Sequence, residues 1–216
     1  MSVVRNLERR LERLLEGVAG RVFSGRVHPS ELAGKLAREA DFARFQHFTG
    51  PATANHFVIR VSPNDLAEDP SKLEETLTAE MTAYTTEEGL RLEGPVQVRI
   101  ESLEEAVTGT VECHVEVVPG PPVVWARLVG KTETLDMGRN RVSIGRSDKC
   151  DVVLAHDDVS RTHALIYQEK GRGWIKDLSS ANGTTLDGQR VDTRGIAMHE
   201  GSVVGLSGHR YRFIRV

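Results

Sequence analysis

The sequence predicts two domains, a small α+β domain followed by an all-β sandwich. Three observations predict this. The apolar pattern mixes helical and alternating periods up to about residue 118 and alternates only afterwards. Between the halves stand Pro119, Gly120, Pro121 and Pro122, a run that can continue neither a helix nor a sheet. Beyond that run come about ten short strands in close succession, the pattern of a sandwich or barrel. The boundaries are therefore 1–118 for the first domain, 119–122 for a stiff linker and 123–216 for the second domain.

The first element is a helix. Val4, Leu7, Leu11, Leu14 and Val18 recur at spacings of three and four, while arginines and glutamates cover the opposite face. This stripe packs into a core or forms a helix–helix dimer seam; its spacing is heptad-like but short. Four arginines against three glutamates make the polar face too balanced for an anionic lipid surface. "HPSELAGKLAREADF" starts a second helix, with Pro29 in the first turn, where its missing N–H costs nothing. "HFVIRV" alternates as a strand. "PSKLEETLTAEMTAYTTEEG" is helical, with Leu73, Leu77, Met81 and Tyr84 on one face. "VQVRIE" and "GTVECHVEV" alternate again. The order is α-α-β-α-β-β.

In the second half the alternating stretches are "VVWARLVG", "TETLDM", "NRVSIGR", "CDVVL", "HALIYQE", "GWIKDL", "TTLDGQRV", "SVVGL" and "YRFIRV". Turn pairs such as Lys170-Gly171, Asn182-Gly183 and Asp187-Gly188 separate them.

Charge is divided between the halves. Residues 1–118 hold 13 Lys and Arg against 20 Asp and Glu, whereas residues 119–216 hold 15 against 11. A mildly basic half suits an acidic partner. With 11 aromatic residues in the chain there is no stacking ladder, so nucleic acid is not the expected partner. No apolar run is long enough for membrane insertion, and the Arg- and Glu-rich N-terminus does not read as a secretory signal. Cys113 and Cys150 stand alone without metal or disulfide spacing, which fits a reducing cytoplasm. The histidines are scattered, and no phosphate-binding loop of the nucleotide type is present. No cofactor and no metal are expected.

The chemistry concentrates in "DDVSRTHALI", which sets Ser160, Arg161 and His163 close together. A nucleophile with its base is one reading. It fares poorly: the serine is not on a G-x-S-x-G elbow, residues three apart on a strand point to different faces, and no acid is marked to orient the imidazole. An anion pocket is the other. "SIGRS" ends a strand at Gly145-Arg146, and "DLSSANGTTLDG" sets small polar residues between two further strands. Loops at one end of a sandwich would converge Arg146 and Arg161 with the hydroxyls of Ser147, Ser160 and Ser180. That donor set matches the acceptor oxygens of a phosphate. The glycines alone would serve as turn residues in any sandwich; the arginines and hydroxyls are what turn chemistry leaves unexplained.

Gly145-Arg146, Ser160-Arg161-x-His163 and Ser180-x-Asn182-Gly183-Thr184, at these intervals, closely resemble the forkhead-associated (FHA) domain over residues 123–216. The resemblance implies an eleven-stranded β-sandwich whose apical loops bind phosphothreonine in partner proteins. By position, Arg146 and Ser160 are the implied principal phosphate ligands and Arg161 a secondary one. Asn182 is implied to hold the peptide backbone. Gly145, His163, Gly183 and Thr184 are implied scaffold residues. Ala181 departs from the pattern, since many members carry a hydroxyl there; Ser180 is the expected substitute.

Residues 1–118 resemble the N-terminal domain of actinobacterial-type FhaA proteins, on pattern more than on a short motif. That family works with membrane-bound Ser/Thr kinases in cell-wall and division control. The resemblance implies a non-enzymatic cytoplasmic adaptor for threonine-phosphorylated proteins, among them a Ser/Thr kinase or its substrates, recruited to the membrane by partners. A structural or oligomerising scaffold that has lost phosphate binding is the alternative, with Ala181 as its motive. Thr49 and Thr53, in the Gly/Pro-interrupted "TGPATANHF", are expected to be loop residues open to phosphorylation.

Overall fold

A computed structural model describes residues 3–16, 19–24 and 26–216. The chain forms two compact units, one of residues 1–45, 52–85 and 92–120, the other of residues 46–51, 86–91 and 121–216. Two short segments of the first half thus belong to the second unit.

In the first unit, helix α1 (Val3–Glu16) is followed by the single turn α2 (Ala19–Val22) and by α3 (Pro29–Phe42). Leu7, Leu11 and Leu15 of α1 are fully buried. The stripe therefore runs at successive spacings of four. Leu15 takes the place expected for Leu14, which stays half-buried with Val4; Val18 lies outside the described residues. α1 packs against α3, whose Leu32, Leu36 and Ala40 are buried. Pro29 opens α3, and the His28 ring caps it by accepting from the Ser30 N–H.

A two-stranded ribbon, β1 (Phe45–His47) with β2 (Gly50–Ala52), comes next. Then follow β3 (His56–Val61), α4 (Ser71–Glu87), β4 (Gln97–Ser102) and β5 (Glu112–Glu116). β3 is the central strand, parallel to β4 and antiparallel to β5. The parallel pair needs a crossover, and α4 supplies it. Leu73, Leu77, Met81 and Tyr84 of α4 are all buried.

The second unit is a β-sandwich of eleven strands: β6 (Ala126–Val129), β7 (Thr134–Met137), β8 (Arg141–Gly145), β9 (Val152–Val153), β10 (Ala164–Glu169), β11 (Arg172–Asp177), β12 (Thr184–Leu186), β13 (Gln189–Arg190), β14 (Ile196–Met198), β15 (Val203–Leu206) and β16 (His209–Arg215). One sheet has the order β14-β11-β10-β8-β9, the other β13-β12-β15-β16-β6-β7. Their inner faces bury Leu128, Ile144, Ile166, Ile175, Val204 and Phe213. The stretch "TTLDGQRV", divided by the Asp187-Gly188 turn pair, is the hairpin β12–β13. Asp187 and Gly188 both have positive φ, 50° and 84°, as a tight two-residue turn requires. β14 has no clear alternation; it is a strand because it pairs with Gly173–Ile175 of β11.

Register puts the loops at one end. Ala164 at the start of β10 faces both Ile144 near the end of β8 and Asp177 at the end of β11. The loops that leave β8, enter β10 and leave β11 therefore meet there.

Among the described residues no helix is long and apolar enough to cross a membrane. The expected accessibility of Thr49 and Thr53 is not found. Thr49 is 3% and Thr53 2% exposed. The Thr49 hydroxyl is bonded to His47 Nδ1 at 2.8 Å, and Thr53 donates to the Ala40 carbonyl at 3.3 Å. Gly/Pro content marked a chain interruption there, but the hydroxyls turn inward to partners.

Candidate functional site

Gly145 ends β8 directly beside the Ser160–Arg161 backbone. A Cβ on Gly145 would lie 2.3 Å from the Arg161 carbonyl oxygen, so only glycine allows this approach. The two loops are then tied. Arg146 N–H donates to the Ser160 carbonyl at 2.9 Å and Ser147 N–H to the Arg161 carbonyl at 3.0 Å. The Cys150 thiol also reaches the Arg161 carbonyl, at 3.2 Å. Burial pushes this thiol above its ordinary pKa, so it stays protonated and donates.

His163 is fully buried. Its Nδ1 accepts from the Ser160 N–H and its Nε2 donates to the Gly183 carbonyl, each at 3.2 Å. These partners select the neutral tautomer with the proton on Nε2. Burial accordingly lowers the His163 pKa below its ordinary value. Both ring nitrogens are occupied by backbone groups, so the ring does not act as a base on the Ser160 hydroxyl. That hydroxyl instead accepts from the Ala181 N–H at 2.9 Å, and its own proton remains to be donated to a ligand. The position where family members carry a hydroxyl here contributes its backbone.

The third loop is built on Asp177, a residue the sequence reading missed. Its carboxylate accepts from the Ser180 N–H at 2.9 Å, the Ser180 hydroxyl at 2.6 Å and the Thr184 hydroxyl at 2.6 Å. Burial pushes the Asp177 carboxyl up, but the bonds from Ser180 and Thr184 outweigh it and hold it below its ordinary value. An acid three residues before a serine is an Asx-type turn signal, so Asp177 was findable.

This arrangement corrects the expectation for Ser180. Its hydroxyl is held by Asp177 and accepts from the Gly183 N–H at 3.0 Å; it does not line the cleft. Ser179 does, in a left-handed conformation with φ 62°. Gly183, with φ 84°, and the buried Thr184 lie beneath the loop.

The cleft has a volume of about 800 Å³, and Arg146, Ser147, Lys149, Ser160 and Arg161 are among the residues that line it. Asp157, Asp158, Ala181 and Asn182 line it too. The Arg146 guanidinium is exposed and touches the Val159 carbonyl at 3.3 Å; Arg161 is exposed. The Asn182 amide donates to the Asp158 carbonyl at 2.8 Å, which leaves its side-chain oxygen at the cleft. The Asp158 carboxylate accepts from His209 Nε2 at 3.0 Å, and this bond holds it below the ordinary carboxylate range. Arg146, Lys149, Arg161, the Ser160 hydroxyl and the Asn182 amide thus converge on one cleft, while both nitrogens of the neighbouring His163 ring are taken up by backbone groups. The arrangement can hold a phosphate and the chain that bears it.

Comparison with known proteins follows the same division. The family model "FhaA, N-terminal domain" matches residues 4–114, more than half of the chain, and the FHA domain model matches residues 142–207. FhaA of Mycobacterium tuberculosis is 28% identical over 130 residues, covering 56% of this chain and 25% of that protein. FhaB of Mycolicibacterium smegmatis is 37% identical over 59 residues, covering 27% of this chain and 38% of that protein. The chain thus spans well under half the length of either relative. Among solved structures, Mycobacterium tuberculosis EmbR in complex with a low-affinity phosphopeptide is 26% identical, covers 42% of this chain and 24% of that chain, and has a TM-score of 0.40. The chain belongs to the FhaA N-terminal domain family and carries an FHA domain behind that domain.

Proposed function

We propose that the cleft binds phosphothreonine peptides and that the protein is an adaptor which docks proteins phosphorylated by Ser/Thr kinases. One observation carries this reading. The Ser160 hydroxyl is fixed by the Ala181 N–H while the Arg146 backbone N–H donates to the Ser160 carbonyl, so a hydroxyl donor and the residue that bears a permanent cation share one hydrogen-bonded seam. Arg146 and Ser160 are the principal phosphate ligands in this reading, with Ser147 and Arg161 beside them and Asn182 on the peptide backbone. The FHA domain match supports it. By resemblance to FhaA-type proteins, the proposal extends to a setting in cell-wall or division control, with the protein in the cytoplasm and brought to the membrane by its partners.

Charge-assisted hydrogen bonds contribute about 1.5–3 kcal/mol each. A few of them, less the cost of ordering a peptide, give micromolar affinity, on the order of 8 kcal/mol. Threonine is preferred over serine by roughly ten-fold: one buried methyl supplies about 0.8 kcal/mol, and the stiffer β-branched side chain has less freedom to lose.

A degenerate phosphothreonine peptide library, with phosphoserine and unphosphorylated controls, selects a ligand for calorimetry. Arg146→Ala weakens that ligand by at least about ten-fold, and Ser160→Ala by less, with the domain still folded. Wild-type affinity in Arg146→Ala overturns the site assignment. No phosphate-dependent binding at all leaves the scaffold reading in its place.

A further inference from the structure

The loop that carries Arg146, Ser147 and Lys149 is closed at its base by Ser143 and Asp151. The Ser143 hydroxyl donates to Asp151 Oδ2 at 2.7 Å and accepts from the Asp151 N–H at 3.0 Å, and the Ser143 N–H donates to the same carboxylate oxygen at 2.9 Å. This clasp brackets the phosphate-binding loop. It also needs a countercharge, because the Asp151 side chain is only 15% exposed.

Arg91 supplies that charge from the 86–91 segment of the second unit. Its Nη1 donates to Asp151 Oδ2 at 2.9 Å and its Nη2 to Asp151 Oδ1 at 2.7 Å. This is the two-pronged geometry at which guanidinium is strongest. Nη1 also donates to the Arg141 carbonyl on β8 at 2.8 Å. Arg91 is itself buried. Arg139 is a second, more distant cation, 3.5 Å from Asp151 Oδ1. Burial alone would push the Asp151 carboxyl up; the bonds from Arg91 and Ser143 hold it low.

The segment that brings Arg91 is anchored independently. Asn140 donates from its amide to the Leu90 carbonyl at 3.0 Å. The buried Arg141 guanidinium donates to the Gly89 carbonyl at 3.0 Å and to the Thr49 carbonyl at 2.6 Å. Arg91 N–H donates to the Pro51 carbonyl at 2.8 Å.

We infer that Arg91 is a positioning residue for phosphate binding: through Asp151 it fixes the Arg146–Cys150 loop, so the recognition unit includes residues 86–91, outside the sequence that matches the FHA domain. The inference rests on the phosphothreonine reading of the cleft, but its mechanical half does not.

The test uses the full chain. Arg91→Ala, Arg91→Lys, Asp151→Asn and the Arg91→Ala/Asp151→Asn double variant are titrated with the library-selected phosphothreonine peptide below their melting transitions. Arg91→Ala is expected to weaken binding by about ten-fold, the size of one lost charge-assisted bond. Arg91→Lys recovers part of it, since the charge stays and the fork is lost. The double variant loses no more than Arg91→Ala alone, because the two residues act as one unit. Additive losses, or wild-type affinity in a folded Arg91→Ala, overturn the inference.

Amide hydrogen exchange without any ligand supplies the second readout. Arg91→Ala is expected to speed exchange at Arg146, Ser147 and Cys150, and Arg91→Lys to do so less, while Phe213 on β16 stays protected. Equal rates at the loop in wild type and Arg91→Ala overturn the inference. If wild type binds no phosphopeptide, the functional reading has failed, and the exchange result still decides whether Arg91 sets the loop.

Discussion

His163 Nε2 lies 3.2 Å from the Gly183 carbonyl oxygen, and the same ring accepts from the Ser160 N–H. A single buried side chain therefore joins the loop that bears Ser160 to the loop that bears Asn182. Removing it leaves the Ser160 N–H without its partner, while the Gly183 carbonyl keeps the Ser207 N–H at 3.2 Å.

His163→Ala is expected to destabilise the second unit by about 2–4 kcal/mol, since the orphaned Ser160 N–H costs about 1–3 kcal/mol and the emptied space of a fully buried side chain adds to it. The melting temperature falls by roughly 10 °C. Phosphopeptide affinity drops with it, because the Ser160 loop loses its anchor. Calorimetric melting and peptide titration check both. Ester or phosphoester hydrolysis that depends jointly on Ser160 and His163 would overturn the binding reading.

Acid is expected to weaken the fold in two windows. The His163 pKa is lowered on folding from an ordinary value of 6.5, so the unfolded chain takes up its proton first. Stability is intact above 6.5 and is lost as pH falls from there toward the folded value. The Asp177 pKa is likewise lowered from 3.8; its contribution is present above 3.8 and is lost as pH falls through the folded value. Denaturant titrations across pH 7 to 3 show the decline. In His163→Gln the upper part of the slope disappears and the lower part remains; an unchanged upper slope assigns it to another group.

Ser180 is expected to behave as a scaffold residue. Ser180→Ala removes a bond to Asp177 and leaves the Gly183 N–H unpaired, a cost of about 1–3 kcal/mol. Phosphopeptide affinity of the folded protein changes less than about three-fold, well under the effect of losing one direct charged bond. Denaturant melts beside calorimetry separate the two. A ten-fold loss of affinity with unchanged stability would return Ser180 to the ligand set.

Much of this molecule was legible as pattern. Leu73, Leu77, Met81 and Tyr84 announce α4 because helical period and burial are local consequences of spacing. Gly145, Arg146, Ser160, Arg161 and Asn182 announce a site because turn chemistry and charge are properties of residue type. The failures share one cause. Leu15 rather than Leu14 is buried because the α3 surface chose the seam. Thr49 and Thr53 look like open loop residues until the chain turns their hydroxyls inward. Ser180 and Ser179 are both small and polar in the sequence, and only the Asp177 carboxylate decides which faces the cleft.

By itself, then, the sequence determined an α+β order followed by a sandwich, and three spaced motifs of arginines and hydroxyls of the kind that suits the acceptor oxygens of a phosphate. Tertiary structure alone decided which hydroxyl stands at the cleft and which is a brace. It also decided that Arg91, 60 positions from Asp151 in the chain, completes the clasp beneath the loop. The physical reason is range. Period, turn preference and formal charge act between neighbours along the chain, whereas a buried carboxylate is satisfied by whichever donor the fold brings to it, and sequence spacing does not encode that meeting.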